Sequence, residues 1–222
     1  MGQKSVENPE IEIMGAEAMS KTEQFFESNG KKIVIIIFVL MVLSAAIFSY
    51  KMLVVAPAEE RAADAIYSAQ LLFDAPDYQG AVEQFVAVAD DYSSTKAGNL
   101  ANHYAALCYI KLGDSANALK YLKQYKAQKG IPAQIINAQN LGLQGDLAVN
   151  AGDYAAAVEL FKRAANISEN PLTTPMYLRK AGQAADAAGN TVEAKSLFQS
   201  IVDLYPSSPE NRTAEKYLGA IK

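Results

Sequence analysis

His103 is the single histidine and Cys108 the single cysteine of this 222-residue chain, so nucleophilic or metal chemistry would have to start from them. A catalytic imidazole needs a nucleophile or an acid held against it, and a zinc site needs several thiolate or imidazole ligands. One residue of each kind supplies neither. Cys108 lies in the apolar stretch Ala105-Ala-Leu-Cys-Tyr-Ile110, where it reads as a small core side chain, and a lone cysteine excludes an internal disulfide. His103 reads as a helix-surface or groove residue. The carboxylate doublets Glu59-Glu60 and Asp90-Asp91 read as helix-terminus charges, Glu59-Glu60 being favourably placed in a first turn. The chain is therefore not expected to be an enzyme, and no cofactor, metal or small-molecule substrate is expected. Two Asn-x-Ser/Thr matches, at Asn166 and Asn211, matter only in a host that glycosylates such sites.

With no reacting group to position, the elements themselves carry the information. Twenty basic and twenty-four acidic side chains leave a net charge of −4, and the acids are spread along the chain. No lysine or arginine cluster alternates with aromatics, which argues against nucleic acid. Lys120, Lys123, Lys126 and Lys129, like the doublet Arg179-Lys180, read as solvated helix faces. The one large departure from ordinary composition is the run from Ile33 to Tyr50, eighteen residues without a charge, bounded by Lys31-Lys32 and Lys51. At about 1.5 Å per residue it spans most of a hydrocarbon core of about 30 Å, and Met52-Leu-Val-Val55 completes the crossing if Lys51 snorkels. Thirty-two residues precede the run, which disfavours a cleaved signal peptide, and an all-apolar helix has no place inside a small helical domain. Lys21, Lys31 and Lys32 on the N-terminal side outweigh Lys51 and Arg61 on the other, so the tail is expected in the cytoplasm and the larger domain outside it. This divides the chain into a tail at 1–30, an anchor at 31–55 and a domain at 57–222. In the tail, residues 1–18 lack periodic pattern and read as flexible. Ser20-Lys-Thr-Glu23 resembles a capping box that opens a short amphipathic helix ending near Asn29-Gly30.

Beyond Pro57 a pattern recurs. Asp77-Tyr78 with Ala81 and Phe85 returns as Gly113-Asp114-Ser115 with Ala118 and Leu122. It returns again as Gly152-Asp153-Tyr154 with Ala157 and Phe161, and as Gly189-Asn190-Thr191 with Ala194 and Phe198. The markers 78, 115, 154 and 191 are 37, 39 and 37 residues apart, the period of a solenoid of helix pairs. Each glycine can end a helix at positive φ, and the Asp or Asn after it can cap the next. First helices are expected near 59–74, 97–112, 133–151 and 176–188, each with a small residue (Ala69, Ala106, Gly145, Gly182) where a partner comes close. Second helices are expected near 78–92, 115–128, 154–167 and 191–204. Thr174-Pro175 and Ser208-Pro209 read as N-cap and first-turn pairs, the latter opening a capping helix at about 209–221. The fold class is all-α: one N-terminal transmembrane helix, then four helix pairs and a cap.

The domain resembles tetratricopeptide repeats, best in the third repeat with Gly145, Gly152-Asp153-Tyr154, Ala157, Phe161 and Ala164, and in the fourth with Gly182, Ala194, Phe198 and Tyr205-Pro206. It departs from them in its longer period, in Pro76 where the first turn lacks glycine, and in Ser115 and Leu122. The arrangement of Lys21-Thr-Glu-Gln-Phe-Phe-Glu-Ser-Asn-Gly-Lys-Lys32, one span, and a repeat domain containing Tyr92, Lys96, Ala101, Tyr104 and Tyr109 resembles the bacterial ancillary subunits of the Sec translocon, Bacteroidetes-type relatives above all. That resemblance implies an inner-membrane protein, repeat domain in the periplasm, that helps newly exported chains meet chaperones. In such repeats the first helix of each pair lines the concave face. The expected protein-binding groove is Ile66 and Phe73, then Leu100, His103 and Leu107, then Asp146 and Asn150, then Arg179 and Gln183, grading from apolar to polar. The expected partner is a protein: a translocon subunit, a chaperone or an exported chain. The alternative reading is a structural scaffold subunit of a larger envelope complex.

Overall fold

The computed structural model describes residues 9–167 and 169–221, which fall into two compact units, 1–57 and 58–222. In the first, α1 runs from Pro9 to Tyr50 and is followed by a π-helical segment, Lys51–Val55. The helix neither starts at Ser20 nor ends at Asn29-Gly30 but passes through both. Once a helix exists, each added residue gains a hydrogen bond at little further cost, and local start and stop signals are overridden. Residues 1–8 of the expected flexible tail lie outside the described residues; residues 9–18 are helical. From Val34 to Phe48 the large apolar side chains are about half exposed or more, and the stretch is long and apolar enough to cross a membrane by length and composition.

The second unit is an α-solenoid. Four helix pairs follow one another among the described residues: α2 (Ala56–Asp74) with α3 (Tyr78–Asp91), α4 (Lys96–Lys111) with α5 (Ser115–Gln124), α6 (Ile131–Asn150) with α7 (Tyr154–Ile167), and α8 (Thr173–Ala187) with α9 (Thr191–Leu204). A last helix, α10 (Asn211–Ala220), packs on α9. The repeated turn is built as its residues dictate. Gly113, Gly152 and Gly189 have φ near +80°, and the side chain that follows each accepts the N–H three residues on: Asp114 from Asn117, Asp153 from Ala156, Asn190 from Glu193. Asp77 does the same for Gly80 at 2.9 Å. Pro76 keeps the glycine's place at φ +28°, against the preference of its ring for about −65°.

Packing explains the rest of the pattern. Ala81, Ala118, Ala157 and Ala194 are fully buried, as are Phe85, Leu122, Phe161 and Phe198 to within 1%. A Cβ at Gly145 would stand 2.6 Å from the Phe161 ring and one at Gly182 would stand 2.8 Å from Phe198. The helical cost of glycine, up to about 1 kcal/mol, is offset by that close approach. One core joins the first two pairs, and a second joins the last two with α10.

Three local expectations are corrected. Helix α5 stops at Gln124 instead of 128, so Lys126 and Lys129 do not share its face. Helix α8 starts at Thr173, where Asn170 Oδ1 accepts from the N–H groups of Leu172 and Thr173. Thr174 is buried and its hydroxyl accepts from the Asn170 N–H, so Thr174-Pro175 is not the cap. Ser208 does accept from Glu210 N–H, but across a turn, and α10 opens only at Asn211.

Candidate binding groove between the first helices

The start of α4 shows how one repeat is attached to the next. Its first N–H groups have no partner within the helix. Glu59, from the first turn of α2, accepts from Lys96 N–H at 2.9 Å and from Ala97 N–H at 3.2 Å, while Thr95 Oγ1 accepts from Gly98 N–H at 2.9 Å. Glu59 thus serves the positive end of its neighbour's helix.

Between repeats two and three the tie is polar and buried. His103 is 2% exposed, with Nε2 3.3 Å from Gln139 Oε1 and Nδ1 3.4 Å from Asn140 Nδ2. An amide Nδ2 can only donate, so Nδ1 accepts and the proton rests on Nε2, in the orientation assigned to the two amides. Burial holds the imidazole down at about 4, against a smaller upward pull from Gln139. Cys108 is fully buried, and burial pushes its thiol up to about 12, which leaves it inert. Among the described residues no three His, Cys, Asp or Glu side chains come together as a metal site.

The first helices leave open clefts. One of about 370 Å³ between α6 and α8 is walled by Ile135, Gly142, Leu143, Met176 and Tyr177 and ends at the ion pair of Lys180 and Asp146, 2.8 Å. A second, about 280 Å³, lies between α4 and α6, and a third, about 200 Å³, is lined by Asp146, Arg179, Lys180 and Gln183. Ile131 and Ile135, one helical turn apart on α6, are 79% and 62% exposed.

The expected groove residues separate on this surface. Leu100 lines the second cleft and Asp146 lines the first and third, whereas Ile66 and His103 are buried between helices and present nothing to a partner. Phe73 is half-buried, its ring edge-on to Tyr78 and Tyr104; Leu107 is half-buried and Asn150 exposed. The polar far end is spent internally. Arg179 pairs with Glu210 and donates to Gln183 Oε1 at 2.7 Å, and Gln183 donates to the Tyr217 hydroxyl at 2.8 Å. The Arg179-Lys180 doublet is accordingly not a solvated face, since Lys180 bridges to Asp146 of α6 and Arg179 to Glu210, just before α10. Apolar surface reaches further along the solenoid than the expected gradient placed it, through Ile135 and Met176. The sequence reading missed Ile131 and Ile135, although their spacing of four with no acid between them signals an apolar stripe.

Two family models match, both described as tetratricopeptide repeat, over residues 143–209 and 101–128. No curated protein matches the chain. Two solved structures of nearly identical TPR-like repeats, both from a candidate kinesin light chain of Podosopora anserina, each share 18% identity and a TM-score of 0.55 with it. They cover 73% of this chain and 85% and 86% of their own. At that identity the likeness shows the fold. Tetratricopeptide repeats are thus matched over residues 101–128 and 143–209 of an all-α solenoid, and the N-terminal helix is long and apolar enough to cross a membrane by length and composition.

Proposed function

We propose that this tetratricopeptide-repeat chain is a single-pass adaptor of the bacterial inner membrane. Its repeat domain stands in the periplasm and holds a translocon subunit, a chaperone or an exported chain beside the Sec channel. The observation that carries the reading is the union of one span-length apolar helix with a solenoid whose first helices leave open, largely apolar clefts. No bond is made or broken. Tethering raises the local concentration of the clefts near the channel, so modest affinity at each suffices. The family resemblance supplies the channel, and the lysines at 31 and 32 supply the orientation.

A photo-crosslinker placed at Leu107 or Met176 in intact membranes is expected to capture one of those three partners, and capture of none overturns the reading. Protease added to spheroplasts is expected to digest the repeat domain; protection would reverse the topology. A scaffold-subunit reading draws on the internally paired residues Arg179, Lys180 and Gln183, which look built for rigidity. Purification in mild detergent separates the two, because a scaffold subunit would keep a fixed-stoichiometry complex through high salt.

A further inference from the structure

Charge is divided unevenly along the repeats. Residues 58–91 carry eight acids against one arginine, residues 92–130 six lysines against one aspartate, and residues 131–222 nine acids against eight bases. Repeat one is thus strongly acidic and repeat two strongly basic, while the rest is nearly neutral. The ion pairs among the described residues all lie between Asp146 and Glu210, so neither repeat one nor repeat two neutralises its charge internally.

Part of this charge is laid out in register. On α3, Glu83, Ala87 and Asp90 are exposed at spacings of four and three, and on α5, Ala116, Lys120 and Lys123 are exposed at the same spacings. The two helices flank α4, and the Tyr121 phenol of α5 is raised by burial and by the nearby charge of Asp90. With the repeat offset of 37, Glu83 and Lys120 hold the same place in successive repeats, and equivalent places in a solenoid point the same way. The same offset matches Gln79 with Ala116 and Ala87 with Gln124, all four exposed. Neither charge meets an opposite one. Glu83 accepts from Gln79 Nε2 at 3.1 Å, and the Lys120 ammonium lies 4.9 Å from the centre of the Tyr121 ring. The register ends with α5 at Gln124, beyond which Asn99 and Asn137 bracket the backbone of Lys126 and Gln128 and take it out of the helix.

We infer that this face docks on the same face of a second copy of the chain, each α3 lying along the α5 of the other copy. A two-fold axis running along the helices, between α3 and α5, exchanges them. It sets Glu83 opposite Lys120 twice over, with each glutamine against an alanine. An axis across the helices would lay α3 on α3 and α5 on α5, like charge on like, which selects the first arrangement. An anionic lipid surface would suit Lys120 and Lys123 but would be repelled by Glu83 and Asp90 beside them. Exposed ion pairs are individually weak and screened by salt, so the dimer belongs to the membrane, where an anchored chain meets its copies at high effective concentration. The inference goes beyond the adaptor reading and needs no channel.

The test uses the full chain in phosphatidylcholine vesicles, labelled at its C-terminus with a donor or an acceptor dye, and reads energy transfer against the ratio of protein to lipid. Transfer is expected for the wild-type chain and should fall in high salt. The double variants Glu83→Lys/Asp90→Lys and Lys120→Glu/Lys123→Glu should each weaken self-association about tenfold or more. Lys195→Glu/Lys216→Glu, a charge change of the same size as the latter made elsewhere, should leave it unchanged. The quadruple variant that combines the first two, with net charge unaltered, should regain transfer with itself but show none with the wild-type chain. That restoration separates lost pairing from lost folding. Absence of transfer in the wild type, equal transfer from every variant, pairing of the quadruple variant with the wild type, or transfer that requires phosphatidylglycerol would each overturn the inference.

Discussion

Gly145 is fixed by its neighbour across the pair, since the Phe161 ring occupies the space where a Cβ would sit. Gly145→Ala is expected to destabilise the domain by about 1–3 kcal/mol through overpacking, despite alanine's better helix propensity. Gly219→Ala, in α10 with nothing within 4 Å of the added Cβ, should instead gain up to about 1 kcal/mol. Urea unfolding of the two variants separates packing from propensity. The second residue-scale expectation concerns His103. Its folded value of about 4 lies below the ordinary 6.5, so between those values the unfolded chain binds a proton that the folded one does not. Stability therefore rises with pH through that window, on the order of 3 kcal/mol in all, is full above pH 6.5, and is lost as pH falls toward 4. His103→Gln should flatten the slope of unfolding free energy against pH between 4 and 6.5. An unchanged slope would mean that other groups set it. The spacing of small residues made Gly145 legible in the sequence, but nothing local to His103 revealed its burial, because the two amides that enclose it come from a helix 36 residues away.

At the scale of elements, the four turns were readable because each is a local device: a residue at positive φ, then a side chain that caps the helix it precedes. The start of α4 is not local. Two of its N–H groups end on Glu59, 37 and 38 residues earlier, and Glu59→Ala is expected to cost about 1–2 kcal/mol, with Glu59→Gln intermediate. Amide hydrogen exchange at Lys96 and Ala97 should quicken in the same variants, whereas Ala156, capped by Asp153, should not change. The early end of α5 has the same origin. Residues 125–128 have adequate helix formers, but the asparagine brackets from α4 and α6 outcompete the helix for the backbone of Lys126 and Gln128.

In the whole molecule each repeat leans on the next, so its ends are its weak points. Helix α10 closes the C-terminal end: Tyr217 stacks on Phe198 with centroids 4.8 Å apart, and Ala214 is fully buried. Ending the chain after Ser208 is expected to expose Phe198 and Ile201, bind a hydrophobic dye, and lower the thermal midpoint. The first two pairs, which share a separate core, should keep their helicity. Uniform collapse of the helical signal would show that the two cores do not behave as neighbours in a chain of repeats.

The sequence by itself determined the helix pairs, their turns, the capping helix and an apolar segment suited to a membrane, because each is written in residues close together along the chain. Tertiary structure decided which of those residues remain available. His103, Arg179 and Gln183 share the expected face with Leu100, yet the first is buried and the others are spent on Glu210 and Tyr217, while Ile135 is left open. Exposure depends on what the adjoining repeat brings into reach, and that partner lies some 30 to 40 residues away in the chain.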